Sequence, residues 1–320
     1  SYATHFSGVA HMPQSFSSRL PLSRYELDRD YLARERETLF EDLWADAATR
    51  VLPIFQGSAL LAGPTELALL PVAAAPHAQL RVYLGRTTAA TENEPLGTPI
   101  VAIELDSAGH FAGADWANLR EVGNELSDRD AGLLTEALGI LNWHESHRFS
   151  PKSGQPTVVE KGGWVRRDAS LNTEIFPRTD PAIIVGVVDE DDRILLGSNA
   201  LWASNRYSLL AGFVEPGESL EAAVVREVYE ESGVRVKDPV YLGSQPWPFP
   251  ASLMVGFMAQ VDTNYRLDAT PDGTEILDLR WFSRKELAAC LDEIRLPGPT
   301  SIARAIIEEW LGEPILDGQR

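Results

Sequence analysis

The chain has 320 residues, room for two domains, and a 44% hydrophobic, 23% charged composition that fits a globular protein. Its formal net charge of −19 repels phosphate backbones and argues against a general DNA or RNA binder. The single cysteine, Cys290, excludes intrachain disulfides and thiolate zinc sites. No apolar run approaches the roughly 20 residues that cross a bilayer, and no basic-then-apolar leader is visible, so no membrane association and a cytoplasmic location are expected.

Residues 1–12 (SYATHFSGVAHM) read as a cloning remnant and are set aside. Residues 13–143 are expected to form a mixed α/β domain. ALLAGPTELALLPV and LRVYLG read as strands, while DRDYLARERETLFEDLWADA and DRDAGLLTEALGILNWH carry helical periodicity. No chemical motif stands out there. Residues 144–178 are polar and turn-rich, with PKSGQP and KGG, and read as a linker or small irregular module. His144 and His147 are read as structural or exposed, because no other ligand accompanies them.

Residues 179–315 alternate strand and helix signals. PAIIVGVVD and DRILLGS read as a hairpin, SLLAGFVE, SLMVGFMAQVD and LDLRWFS as further strands, and SIARAIIEEWLGE as an amphipathic helix. Cys290 falls in a helical run, RKELAACLDEI, and is expected to be buried and structural. Strands packed between helices predict an α/β/α layered domain, and the whole chain an α+β protein.

One stretch of this domain, GFVEPGESLEAAVVREVYEESG, carries the chemistry. Ser219 is a good N-cap, Glu221 suits the first turn and Gly233 the C-terminal stop. Glu227, Glu230 and Glu231 then share one helical face, while Val224, Val225 and Val228 occupy an adjoining one. Negative charge near a helix C-terminus opposes the dipole, and each like-charge pair costs about 0.2–0.5 kcal/mol. A solvated acidic face is the ordinary explanation. A divalent cation removes the conflict, because Mg²⁺ and Mn²⁺ prefer hard carboxylate oxygens and keep positions open for phosphate. Gly212 and Gly217 frame a turn where backbone can approach an ion, and Arg226 can pair with Glu218 or Glu230.

These residues resemble the Nudix box, G-x5-E-x7-R-E-U-x-E-E-x-G-U with U aliphatic. Gly212, Glu218, Arg226, Glu227, Val228, Glu230, Glu231, Gly233 and Val234 match every fixed position. The resemblance implies the Nudix fold and hydrolysis of a nucleoside diphosphate linked to another group, with Mg²⁺ or Mn²⁺ as cofactor. A second motif, SQPWPFPASLM, is similar to the SQPWPFPxS signature of NADH pyrophosphatases of the NudC type. On composition alone the Pro-Trp-Pro-Phe-Pro run reads equally as a stiff turn, a dimer contact or a ring-binding loop. The resemblance favours the last. It implies substrate contacts from Gln245, Pro246, Trp247, Pro248, Phe249, Pro250, Ala251 and Ser252.

The same resemblance places Phe176 and Phe213 against a base, so that these rings with Trp247 and Phe249 are expected to surround it. It adds Glu275 to the metal ligands Glu227, Glu230 and Glu231, and assigns backbone contacts of Ala211 to metal and Ala303 to substrate. With Glu218 and Arg226 these glutamates form the expected catalytic set, in which Glu231 or Glu275 accepts the proton of the attacking water. Many members carry a four-cysteine zinc ribbon between the domains. Here its positions fall at Ser150, Ser153 and near Asp168 and Leu171, so no structural zinc is expected. The implied substrate is NAD(H) or the NAD cap of an RNA 5′ end, and the implied assembly a homodimer. ADP-ribose or dinucleoside polyphosphate hydrolysis and a non-catalytic nucleotide sensor are the alternatives.

Overall fold

The computed structural model describes residues 15–265 and 268–318; the stretch 1–12 lies outside them. No described helix is long and apolar enough to cross a membrane. The chain forms two compact units. One holds Asp180–Gln245 and the residues from Leu253 onward, together with the described residues up to Ser23. The other holds Arg24–Thr179 and Pro246–Ser252.

The first unit is built on a six-stranded sheet. Its hydrogen-bonded order is Val236–Trp247, Ser252–Val261, Asp180–Val188, Ile194–Asn199, Ile276–Phe282, with Leu210–Phe213 also paired to Asp180–Val188. Side chains alternate across a strand, so one strand feeds two cores. Ile183, Val185 and Val187 face Ala223, Val224 and Val228 of the helix Leu220–Ser232. Ile184 and Val188 face Ile302, Ile306, Ile307 and Trp310 of the helix Ile302–Leu311. Each fully buried side chain of this size contributes about 1.5–3 kcal/mol. The expected α/β/α layering is present, as are the hairpin of Asp180–Val188 with Ile194–Asn199, which pair through Val188 and Ile194, and the terminal helix. Cys290 is buried just beyond the helix Arg284–Ala289, and burial pushes its thiol up. Val236–Trp247 is not anticipated from the sequence, and its burial does not alternate cleanly.

The second unit holds an eight-stranded sheet among its described residues, with Arg81–Thr87, Pro99–Glu104, Arg50–Phe55 and Ser58–Gly63 adjacent in that order. Arg50–Phe55 and Pro99–Glu104 run parallel and are buried over nearly their full length. Neither is anticipated, because a strand buried on both faces shows no polar alternation. The helical periodicity over Asp28–Ala47 is realised only in part. Leu27–Asp28 pairs with Arg81–Thr87, Asp30 turns at a φ of 48°, and only Tyr31–Glu35 (3-10) and Leu39–Ala45 (α) are helical. Gly85 permits that pairing, since a Cβ there would stand 2.1 Å from the Asp28 carbonyl oxygen.

The helix Asp128–Ser146 follows as expected, capped by Ser127, whose Oγ accepts from Asp130 N at 3.1 Å. It buries Glu136, whose Oε1 has no hydrogen-bond partner and whose nearest cation, Arg29, stands 3.6 Å away. Burial pushes the Glu136 carboxyl up to about 7, against the opposing charges of Arg29 and Arg34. His144 ends the same buried face. Its Nε2 donates to the Gly163 carbonyl at 2.7 Å and its Nδ1 accepts from Arg166 at 2.7 Å, while burial pushes it down to about 4. It is a neutral structural histidine.

The stretch 144–178 contains a three-stranded sheet of Val158–Glu160, Val165–Asp168 and Thr173–Ile175. Of the four positions at which the resemblance would place cysteines, Ser150, Ser153 and Leu171 gather around the carboxylate of the fourth, Asp168. Ser153 Oγ donates to Asp168 Oδ2 at 2.6 Å, and Ser170 Oγ and Ser170 N donate to Oδ1 at 2.6 and 3.0 Å. Leu171 N adds a bond at 3.2 Å, and Ser150 Oγ receives Lys152 N at 3.2 Å. Hydrogen bonds from Ser150, Ser153 and Ser170 hold the Asp168 carboxyl well below the usual carboxylate range.

Two stability predictions follow from these buried carboxyls. Glu136 favours its neutral form, so its contribution is complete below about 4.5 and is lost as pH rises through about 7. Glu136→Gln should therefore raise the melting temperature more at pH 8 than at pH 5, read by scanning calorimetry at both. Asp168 favours its ionised form, so its contribution is complete above about 3.9 and fades as pH falls through its lower folded value. Asp168→Asn should lower the melting temperature at pH 7 and narrow the gap to wild type in acid.

Candidate active site

The box helix Leu220–Ser232 begins at Ser219, whose Oγ accepts from Ala222 N at 3.1 Å, and stops at Gly233 with a φ of 71°. Val224 and Val228 are fully buried, which fixes the helix's rotation and turns Glu227, Glu230 and Arg226 away from the core. Arg226 is the hub. Its Nε donates to Glu218 Oε2 at 2.9 Å, one terminal nitrogen to Glu227 Oε1 and Glu230 Oε2 at 2.9 and 3.0 Å, and the other to Glu218 Oε1 and the Phe213 carbonyl. Glu218 also accepts from Glu215 N at 2.8 Å. Its bonds from Arg226, then from Glu215, pull its carboxyl down to about 2, and Glu218 in turn raises the guanidinium. The arginine bonds Glu218 and Glu230, the two partners the sequence offered as alternatives, and Glu227 as well.

Glu231 has a different environment. It is 3% exposed, and its Oε2 lies buried with no hydrogen-bond partner. Burial pushes its carboxyl up to about 9, assisted by the charges of Glu227, Glu275, Asp272 and Glu230. Burial also raises Glu227, opposed by Arg226. Gly212 explains how Glu227 fits: a Cβ at that position would stand 2.1 Å from its carboxyl carbon. Ala211 pairs with Ile184 on the strand beside the box helix.

Glu275 is exposed, in the turn preceding Ile276–Phe282. Asp272, not singled out from the sequence, holds that turn. Its Oδ1 accepts from Thr274 N, Glu275 N and Ile276 N at 2.7, 2.9 and 3.0 Å. The signal was there in PDGT, an Asx-turn pattern.

The residues expected on the substrate side divide. Phe213 is 60% exposed in this unit, and Phe176 is 63% exposed in the other. Gln245 is fully enclosed; its Oε1 accepts from Leu22 N and its Nε2 donates to the Thr300 carbonyl, both at 3.0 Å. Ala303 is buried in the first turn of its helix, its N–H donating to the cap Ser301 Oγ at 3.1 Å. Pro246, Trp247, Pro248, Phe249, Pro250, Ala251 and Ser252 belong to the second unit. There the Trp247 and Phe249 rings meet edge to face, centroids 4.9 Å apart, and the Phe249–Pro250 bond is cis.

The residues fit a divalent cation. Among the described residues no three His, Cys, Asp or Glu side chains form a ready-made metal shell, since Arg226 spends an oxygen of both Glu227 and Glu230. Yet the donors are hard oxygens, and Glu231 carries a buried oxygen with no proton donor supplied by the chain. In metal-free protein Glu231 favours its neutral form, so that contribution is complete below about 4.5 and is lost as pH rises through about 9. Melting curves in chelator should show wild type losing stability from pH 5 to 9 and Glu231→Gln losing less. Saturating Mg²⁺ or Mn²⁺ should raise the wild-type melting temperature at pH 8 and raise that of Glu231→Gln less.

Residues 177–301 match the family described as NUDIX domain, and residues 48–143 match NADH pyrophosphatase-like rudimentary NUDIX domain. The chain is 41% identical over 285 residues to the NAD-capped RNA hydrolase NudC of Mycobacterium bovis, covering 84% of this chain and 85% of that protein. The protein of the same name from Mycobacterium tuberculosis is 40% identical over 285 residues, at the same coverage. That from Stutzerimonas stutzeri is 38% identical over 228 residues, covering 69% of this chain and 79% of its own. The chain belongs to the NudC family of Nudix hydrolases.

Proposed function

We propose that the chain hydrolyses the pyrophosphate of NAD(H) to NMN(H) and AMP, and removes NAD caps from RNA 5′ ends by cleaving the same bond, which releases NMN and leaves a 5′-monophosphate on the RNA. The observation that carries this reading is a complete Nudix box in a chain that aligns over 84% of its length with an NAD-capped RNA hydrolase. Glu227, Glu230, Glu231 and Glu275, with the Ala211 backbone, would hold Mg²⁺ or Mn²⁺, which when bound neutralises the diphosphate and acidifies water. Water oxygen bonds to phosphorus as the bridging P–O bond breaks, and each product keeps one phosphate. Glu231 or Glu275 takes the water's proton. Arg226 holds Glu218, Glu227 and Glu230 in fixed rotamers, so their carboxylates need little reorganisation as charge develops. Trp247 and Phe249 offer ring surface to a nicotinamide or adenine.

The net charge of −19 favours engagement of only the first nucleotides of a capped RNA. A homodimer and a cytoplasmic location belong to the same reading.

Product analysis with NADH, NAD⁺, ADP-ribose and NAD-capped RNA side by side, in saturating Mn²⁺, tests it. AMP with NMNH from NADH, and loss of the NAD cap from RNA, are expected. Glu227→Gln and Glu231→Gln should each lower kcat by roughly 100-fold or more. Near-full turnover in both variants, or faster cleavage of ADP-ribose than of NADH, would overturn the assignment.

A further inference from the structure

We infer that Asn142, in the last turns of the helix Asp128–Ser146, is a positioning residue for the aromatic pair Trp247–Phe249. The inference rests on the proposed ring-binding role of that pair. Asn142 Nδ2 donates to the Pro248 carbonyl at 2.9 Å and to the Pro250 carbonyl at 3.0 Å. Both partners are acceptors only, so the end of the carboxamide facing them must be the NH₂ group, and both of its hydrogens are used. The two carbonyls flank Phe249 in the chain, one before it and one after it.

This loop has few ways of holding itself. Pro246, Pro248 and Pro250 have no N–H, so they cannot serve as donors in a hydrogen-bonded ladder. Inside the stretch, Phe249 N donates to the Trp247 carbonyl at 2.8 Å. Asn142 supplies two donors from a rigid helix. Three residues earlier on the same helical face, Gly139 lies beside Pro248; a Cβ at Gly139 would make ordinary contact with the Pro248 Cβ at 4.0 Å. Pro248 is buried, whereas Trp247 and Phe249 are only half-buried.

Arg120 completes the support. Its Cζ lies 4.1 Å from the Phe249 ring centroid and 5.7 Å from that of Trp247. It sits in the short helix Leu119–Val122, whose cap Asn118 accepts from Arg120 N at 2.9 Å. Phe249 is thus held through the carbonyls on either side, by a cation over its ring and by the Trp247 ring at 70° to its plane. Asn142 acts on the rings through the two carbonyls it grips. Its effect is to hold the rings in one arrangement before a flat heterocycle arrives, which lowers the ordering cost of binding.

Asn142→Asp tests this, because the carboxylate keeps the shape, loses both donors and faces two carbonyl oxygens. Hydrogen–deuterium exchange at the Trp247, Phe249 and Ala251 amides should accelerate, while exchange in the box helix stays at the wild-type rate. KM for NADH should rise about 10-fold, the scale of two ordinary hydrogen bonds, with kcat within about two-fold. Asn142→Ala, measured the same way, should shift both readouts in the same direction, and it decides the question if the aspartate variant does not fold. Asn142→Gln, which restores the donors on a longer stem, should recover part of the KM loss. Unchanged exchange over residues 247–251, or faster exchange with an unchanged KM, would overturn the inference, as would a fall in kcat as large as the rise in KM. If wild type releases no AMP from NADH, the proposed function fails separately. The exchange data and equilibrium binding of NADH to the wild-type and Asn142→Asp proteins then decide the positioning role.

Discussion

Carboxylates crowded onto one face of a helix repel one another, and the rest of the site depends on the guanidinium set against that repulsion. Arg226 reaches Glu218, Glu227, Glu230 and the Phe213 carbonyl, five hydrogen bonds from one planar fork. The geometry of arginine suits this task; a lysine could offer charge but not the directed set of donors. Glu218 lies in the loop before the helix, so the same side chain fastens loop to helix. Glu231 is the carboxylate among the box glutamates that the arginine leaves alone, and it is the one the fold has removed from water. An oxygen left buried without a donor is tolerable where a cation is to arrive and costly otherwise.

A second carboxylate shows the opposite arrangement. Asp168 occupies the place where a metal knuckle is expected from the family pattern, and serine hydroxyls and backbone N–H groups surround it with donors. Glu231 is deprived of donors and binds its proton tightly; Asp168 is saturated with them and gives its proton up. Both are enclosed. Burial alone therefore does not set the chemistry of a carboxyl group; the hydrogen-bond inventory around it does.

Much of the catalytic unit was legible in the sequence because its signals are local. Ser219 and Gly233 delimit the box helix by capping, and three-and-four spacing puts Glu227, Glu230 and Glu231 together. The other unit was less legible. Its central strands Arg50–Phe55 and Pro99–Glu104 are apolar on both sides, and Pro53 argues against a strand until its neighbours are known. The helical periodicity over Asp28–Ala47 is realised as two short helices, Tyr31–Glu35 and Leu39–Ala45, while Asp28 at its start pairs as a strand with Arg86. Gln245 looked available to a ligand as a residue type, yet Leu22 and Thr300 consume both ends of it.

The sequence by itself determined the register of the box, the ends of its helix, the strand-and-helix order of the catalytic unit apart from Val236–Trp247, and the family resemblance. These depend on residues within a few positions of one another, where backbone geometry fixes the outcome. Tertiary structure alone decided which glutamate loses its solvent, why Gly212 must lack a side chain beside Glu227, and what surrounds Asp168. It also decided that Asn142 reaches carbonyls 106 and 108 residues away. Desolvation and hydrogen-bond saturation are set by segments far apart in the chain, and only the folded arrangement brings those segments together.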